Sequence, residues 1–247
     1  MAAFSALADR WRRAAAVRNI LTVALAIGTG SLDAIGFLAL GNVFVSVMTG
    51  NLVLLGVGLG TGRTALAWHV ALAIAGYATG VAGGTMIAGR PVDGQPAWPP
   101  RVCGALLAEL AVLCGFTVGW EAGAARPSGG AQFALLGTAS LAMGLQSSAV
   151  DRLAVPGFSS TYLTSTLIRA VAQLVLGRRD HLTAKLAALA CAIAGALGGA
   201  LLIARAPRLA PAIAVAIVAG VLSTAWWLSR SGGLLTAAED MPRGRDA

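Results

Sequence analysis

Two acidic side chains lie deep inside apolar stretches of the chain, where a carboxylate is costly unless it is protonated, paired or in contact with water. Asp33 lies within an apolar run over 17–40, and Glu109 lies within another over 102–120. A carboxyl group at such a depth can accept and release a proton, so both residues are candidates for charge or proton coupling. The structural alternative is a buried charge that only fixes one helix against its neighbour.

Arg169 carries the opposite charge near the middle of a third apolar run, over 158–177. We hypothesise that it pairs with Asp33, because one ion pair would satisfy both charges inside the membrane. The alternative is that the long arginine side chain reaches out to the membrane interface. Arg169 is therefore a third candidate for charge coupling.

Polar and glycine residues form a motif inside the apolar sequence, at Gly28–Asp33 and Met48–Asn51, and a weaker form returns at 142–148 and 158–166. Such groups can bind a polar solute or an ion where a broken helix frees backbone N–H and C=O groups into a cavity. The same small residues can instead serve only to let helices pack closely. The candidate substrate-binding residues are Gly30, Ser31, Asp33, Thr49, Gly50, Asn51, Gln146 and Thr164.

The composition predicts an integral membrane protein, since 57% of the residues are hydrophobic and 11% are charged, with a mean hydropathy of +0.78. The net charge of +8 comes from residues at segment ends and in the tails, which argues against nucleic-acid binding. The three cysteines and two histidines have no metal-ligand spacing. No catalytic or cofactor motif occurs either, so we expect no metal, no cofactor and no enzymatic activity.

Hydropathy divides the chain into eight apolar segments, which predicts an all-α, polytopic bundle of transmembrane helices. The segments are 17–40, 43–60, 65–89, 102–120, 131–150, 158–177, 183–204 and 209–229. The second is short and follows the first without a charged residue between them, so it is either a full span or a re-entrant helix. With its counterpart, the sixth, this leaves between six and eight membrane segments.

Ordered matches between the two halves predict an internal duplication. Residues 17–123 form the first membrane repeat and 131–229 the second, preceded by an amphipathic segment over 1–16 and followed by a disordered cytoplasmic tail over 230–247. The matching features are Arg63 with Arg178, Gly83-Gly84 with Gly198-Gly199, and Pro100-Arg101 with Pro207-Arg208. Eight spans would make the repeats parallel, whereas six would make them inverted.

Lysine and arginine predict the orientation, because cytoplasmic loops carry an excess of both. With eight spans, twelve of these residues fall on the side of the N-terminus and five on the opposite side. Six spans keep the same bias. Both termini are therefore expected in the cytoplasm of a bacterium, with the protein crossing the inner membrane several times.

Four segments carry a recognisable pattern: Gly30–Phe37 with its Asp-Ala pair, Gly41–Asn51 with its Met-Thr-Gly-Asn turn, and the later Gly144–Gln146 and Thr161–Thr164. In these segments the chain resembles the YoaK-like family of bacterial membrane proteins. It extends over about 18–229, and Ser165 stands where the family pattern has the glycine of a Thr-Gly-Thr turn. The resemblance implies an inner-membrane protein of a family with no established activity, so it carries no functional residues over to this chain.

Two functions follow from these patterns. The first is a small secondary transporter or permease, with a central polar site between the repeats that takes an unknown small solute or ion. The alternative is a membrane scaffold or accessory subunit that transports nothing, in which the polar motifs only specify helix packing. In both cases the lipid bilayer is a partner, and the small size suits a homodimer.

Overall fold

The computed structural model describes residues 2–90, 96–153, 163–176 and 182–232, with side chains from residue 12 onward except at 163–165, 231 and 232. Within these ranges all regular structure is helical. The helices are α1 Ala2–Ala39, α2 Met48–Gly60, α3 Thr64–Ala88, α4 Pro100–Ala122, α5 Gly129–Arg152, α6 Leu163–Val175, α7 Leu182–Arg205 and α8 Ala212–Gly232. A short 3₁₀ turn, Pro207–Leu209, joins α7 to α8.

Six helices are long and apolar enough to cross a membrane, by length and composition. These spans are Arg12–Ala39, Thr64–Ala88, Pro100–Ala122, Gly129–Arg152, Leu182–Arg205 and Pro207–Arg230. The other two helices, α2 and α6, have 13 residues each. A helix of that length is about 20 Å long at 1.5 Å per residue, which is too short for the ~30 Å hydrocarbon core.

Each of the eight apolar segments contains a helix within the described residues, and six of these helices have the length of a span. Residues 2–16, which we predicted as an amphipathic surface segment, continue without a break into α1. At the other end α8 runs to Gly232, and the rest of the predicted tail lies outside the described residues.

The linker between α1 and α2 folds back along α1 instead of leaving it. Gly41 and Asn42 both have positive φ, at 104° and 60°, which reverses the chain. The carbonyl of Val43 then lies against Gly36, where a side chain would have its Cβ 2.8 Å from that oxygen. The linker therefore returns one or two turns down α1 before α2 begins at Met48.

The helices pack in two groups that do not follow chain order. In one, α7 and α8 both pack on α1, and α6 packs on α7. In the other, α3 and α4 both pack on α5, and α2 packs on α3. The groups meet where α1 crosses α5 and where α4 crosses α8, so α1, α5, α4 and α8 form a ring of four helices.

Within this ring, α1 and α5 run antiparallel. Their hydrogen bonds join Arg18 to the carbonyl of Leu153 (3.5 Å), Gln146 to Thr29 (2.7 Å) and Gln132 to the carbonyl of Ala39 (3.0 Å). Residue numbers rise along one helix as they fall along the other. The first helices of the two predicted halves therefore cross the membrane in opposite directions.

Candidate functional site

Asp33 binds the linker that follows its own helix. Its Oδ1 accepts hydrogen bonds from the backbone N–H groups of Val45 (2.9 Å) and Ser46 (2.8 Å), and its Oδ2 accepts one from Ser46 Oγ (2.5 Å). Three donors satisfy a carboxylate, and α2 begins two residues further on, at Met48. Negative charge near the N-terminus of a helix is stabilising, so Asp33 both fixes the linker and supports the start of α2.

Asn51 makes a second set of bonds to the same linker. Its side-chain oxygen accepts from the N–H of Phe44 (3.0 Å), and its side-chain amide donates to the Phe44 carbonyl (2.6 Å). The side chain is fully buried. Asn51 therefore supplies the paired donor and acceptor that a neighbouring strand would otherwise give Phe44. Its neighbours differ, since Thr49 is exposed and Gly50 lies beside the Phe44 ring.

The hypothesised ion pair between Asp33 and Arg169 is not formed. Both side chains are described, and no ion pair joins them. Arg169 is exposed on α6, which packs on α7. The physical reason is that the linker of its own half already supplies three donors to Asp33, so the carboxylate needs no distant cation.

Gly30 is a packing residue at the contact of α1 with α7. A Cβ placed on Gly30 would overlap the backbone carbonyl of Ala192, and one placed on Gly195 would overlap that of Ile27. The two backbones touch because both sides lack a side chain. Ser31 lies in the same contact, fully buried, with its Cα 3.0 Å from the position that a Cβ on Gly199 would occupy.

The contact of α3 with α5 has the same construction. A Cβ on Gly144 would overlap the carbonyl of Tyr77, and one on Gly80 would overlap that of Leu141. A Cβ on Gly84 would lie 3.1 Å from the Cα of Leu145. In both contacts the helices run parallel, and glycines four residues apart on one helix face the other helix.

A hydrogen bond between Gln146 and Thr29 lies at the crossing of α1 and α5. The Gln146 amide donates to Thr29 Oγ1 (2.7 Å), and Thr29 Oγ1 donates to the carbonyl of Leu25 (3.2 Å). Both side chains are at least 97% buried. The Gln146 Oε1 atom, also buried, has no hydrogen-bond partner among the described residues. This leaves a free acceptor inside the bundle.

Glu109 lies on the buried face of α4, fully shielded from solvent, and neither of its carboxyl oxygens has a hydrogen-bond partner in the described part of the chain. Gly119 of α4 faces Leu135 of α5, and these consecutive helices are antiparallel. Ten residues earlier in α4, Glu109 is therefore at the height of about residue 145 of α5. We call Thr29, Gln146 and Glu109 the polar layer, since they lie at about one depth.

The structure thus divides the predicted site. Asp33 and Asn51 meet at the linker, Gln146 meets Thr29 in the polar layer, and Gly30 packs helices. Thr164 lies in the first turn of α6, and its side chain is outside the described residues. The two halves of the predicted site are therefore not one cluster among the residues that are described.

Two residues that carry these contacts, Ser46 and Thr29, are not among the candidates predicted from the sequence. Thr29 lies inside the polar motif Gly28–Asp33, and Ser46 lies two residues before Met48, in the Gly41–Asn51 segment of the family resemblance. Ser46 is the last hydroxyl residue before α2 begins, and Thr29 is the hydroxyl residue between Gly28 and Gly30. In the described ranges, no cluster of three or more His, Cys, Asp or Glu side chains could hold a metal ion.

Comparisons with known proteins agree with the membrane architecture. Residues 21–225 match a family model described as "Protein of unknown function (DUF1275)". The chain is also 36% identical over 154 residues to the UPF0700 transmembrane protein YoaK of Bacillus subtilis strain 168. That alignment covers 62% of this chain and 66% of the relative, just under two thirds of its length. No solved structure matches the chain.

Proposed function

Because the chain belongs to the DUF1275 family of multi-pass membrane proteins, which has no assigned function, we propose an activity from its geometry: a small secondary transporter or permease. Two inverted repeats, 17–123 and 131–229, would enclose a central polar site for a small solute or ion. This assigns no enzymatic reaction to the chain.

The observation that carries the proposal is the matching register of the two glycine contacts. Gly30 faces the carbonyl of Ala192, and Gly144 faces the carbonyl of Tyr77. Gly30 and Gly144 are 114 positions apart, and Tyr77 and Ala192 are 115 apart, so one contact maps onto the other. Alanine-rich helices resemble each other by chance, but a shared register of backbone contacts is what an internal duplication produces.

Inversion of the repeats is supported by the direction of the helices. In this mapping α1 corresponds to α5, and these two run antiparallel. The number of spans leads to the same result. Each half has three long helices and one short one, and after an odd number of spans the second half begins on the opposite side of the membrane. Inverted repeats with half-helices are a recurring plan of secondary transporters, in which the site lies near the bilayer midplane.

The ring of α1, α5, α4 and α8 would enclose the route. The ring contains two pairs of equivalent helices in this mapping, α1 with α5 and α4 with α8, and the two members of each pair are in contact. The polar layer contributes side chains from three of them. Its free acceptors, at Gln146 and Glu109, are costly in a permanently dry bundle and are useful if a solute, an ion or water reaches them.

The proposed orientation has both termini in the cytoplasm. With six spans, thirteen lysine and arginine residues fall on the side of the N-terminus and four on the opposite side, with Arg169 in α6. Such an excess is typical of the cytoplasmic face of a bacterial inner membrane. In this orientation α2 would enter the membrane from outside and α6 from the cytoplasm.

A scaffold without transport is the second candidate, and a specific observation favours it. The polar atoms of Asp33 and Asn51 form hydrogen bonds to the linker, and Gly30 lets α1 and α7 pack closely because it has no side chain. None of the three needs a ligand to explain its type. The two functions differ in whether water reaches the polar layer.

Cysteine accessibility tests the proposal. In a chain whose native cysteines, Cys103, Cys114 and Cys191, are replaced, single cysteines are placed at Gln146 and Thr29 and exposed to a membrane-impermeant methanethiosulfonate in sealed vesicles. The control is Ser140→Cys, on the same helix as Gln146, fully buried and facing Gly76 of α3. Reaction in the polar layer but not at the control supports a permease. Inertness at both polar-layer positions supports the scaffold.

A further inference from the structure

The two acids inside the membrane have opposite surroundings. Asp33 accepts three hydrogen bonds from donors at 2.5–2.9 Å, which suits a carboxylate. Glu109 is fully buried, and no donor reaches either of its oxygens among the described residues. A bare carboxylate in that place would carry an uncompensated charge in a medium of low polarity, whereas a neutral carboxylic acid would not.

From this contrast we propose, resting on the transport function proposed above, that Glu109 is the proton-exchanging group of the protein. It holds a proton in the conformation described here and releases it when the polar layer opens to water. In that step the O–H bond of the Glu109 carboxyl breaks, water accepts the proton, and the carboxylate keeps the electron pair.

Among the described residues, no cationic side chain of the neighbouring helices forms a hydrogen bond with Glu109. The titratable and charged groups on the helices packed against α4 are His69 and Tyr77 of α3, Asp151 and Arg152 of α5, and Arg230 of α8. On α4 itself, Arg101, Cys103, Cys114 and Glu121 complete the set. Tyr77 donates to Ser147, Arg230 lies over the ring of Trp226, and Asp151 and Arg152 lie at the end of α5.

A proton suits this place better than a metal cation does. Sodium and divalent ions take several oxygen ligands, but Glu109 offers one carboxyl group on a helix face that it shares with Leu106 and Leu113. Gln146 Oε1 lies at about the same height on α5, but no hydrogen bond joins it to Glu109. A single buried carboxyl in apolar surroundings can bind a proton without any other ligand, as in the proton relays of pumps and transporters.

Infrared spectroscopy of the full-length protein in lipid tests the protonation. The difference between wild type and Glu109→Gln isolates the C=O stretch of a protonated Glu109, and Asp33→Asn is the matched control. We expect the band at acidic pH, its reversible loss as the pH is raised into the alkaline range, and an unchanged band in Asp33→Asn. A band that ignores pH, or one that survives in Glu109→Gln, overturns the proposal.

Labelling of the wild type removes the dependence on a folded variant. A lipid-soluble carbodiimide modifies neutral carboxyl groups, so we expect the mapped adduct mainly at Glu109, with the yield falling as pH rises. An adduct at Asp33 alone overturns the proposal. The cysteine test separates this proposal from the transport function. If Glu109 titrates but Gln146→Cys does not react, only the permease proposal fails. If Gln146→Cys reacts but the Glu109 band does not change with pH, only the proton-site proposal fails.

Discussion

The side-chain amide of Gln146 donates a 2.7 Å hydrogen bond to Thr29 Oγ1 where α1 and α5 cross. Thr29 donates in turn to the carbonyl of Leu25, so its hydroxyl is satisfied, whereas Gln146 Oε1 has no partner among the described residues. This polar link joins the two helices that begin the proposed halves. What a substitution does here depends on which of these atoms it removes.

Gln146→Met is expected to leave the free energy of unfolding unchanged or to raise it by up to about 2 kcal/mol. The lost hydrogen bond costs about 1 kcal/mol, while removing an unpaired buried oxygen recovers about 1–3 kcal/mol. Denaturant titration in mixed micelles, followed by tryptophan fluorescence, measures the change. A loss of more than about 2 kcal/mol would mean that Oε1 is satisfied in the folded protein.

Asp33→Asn is expected to lower stability by about 2 kcal/mol, because the amide offers one acceptor where the carboxylate offers two and brings an NH₂ group toward Ser46. Ser46→Ala should cost less, since the backbone bonds to Asp33 remain. The double variant should lose less than the two single losses combined. Additive losses would mean that the 2.5 Å contact contributes nothing.

The charge swap Asp33→Arg with Arg169→Asp should fail to restore the stability lost in Asp33→Arg. Arg169 is exposed and does not pair with Asp33, so its reversal supplies no partner. Arg169→Asp alone should change stability by less than about 0.5 kcal/mol, as most surface changes do. Recovery in the double variant, measured by the same titration, would restore the ion-pair hypothesis.

Asn51→Leu is expected to cost about 2 kcal/mol or more, because it leaves the N–H and C=O of Phe44 without partners. The linker over 40–47 should then be cut faster by a nonspecific protease. Thr49→Ala is the matched control, two residues away and exposed, and should behave as wild type. Equal cleavage of the two variants would count against Asn51 as the residue that holds the linker.

Gly30→Ala and Gly144→Ala should destabilise the protein by similar amounts, about 1–3 kcal/mol, because each added methyl group meets a backbone carbonyl that cannot move aside. Gly220→Ala is the control, in a span with no described atom within 4 Å of the new methyl group. It should be neutral or stabilising by up to about 1 kcal/mol. A large loss of stability in only one of Gly30→Ala and Gly144→Ala would weaken the inverted-repeat proposal.

Much of the fold was predictable because hydropathy is a local property. The free energy of moving a segment into lipid is a sum over about 20 side chains, so each apolar run predicts its own helix regardless of its neighbours. The membrane class, the all-helical architecture and the eight segments follow from that sum. The family resemblance, confirmed by the family match, also needs only local motifs.

Hydropathy did not predict how long the helices α2 and α6 are. Hydropathy left six or eight spans open, since an apolar segment that re-enters the membrane and one that crosses it have similar composition. The backbone reversal at Gly41 and Asn42, and the return of Val43 to Gly36, give α2 its course. These residues come into contact only because the backbone adopts particular φ angles, and composition does not specify those angles.

The sequence by itself determined that Asp33 and Glu109 lie in apolar helices; only the tertiary structure decided that they differ. Burial and depth follow from position along a hydrophobic run, so both residues looked alike. A hydrogen bond requires a donor at about 3 Å, and whether a donor lies that close depends on which distant segment of the chain packs beside the carboxyl group. The linker brings Val45 and Ser46 back to Asp33, while the helices around Glu109 bring no described donor at all.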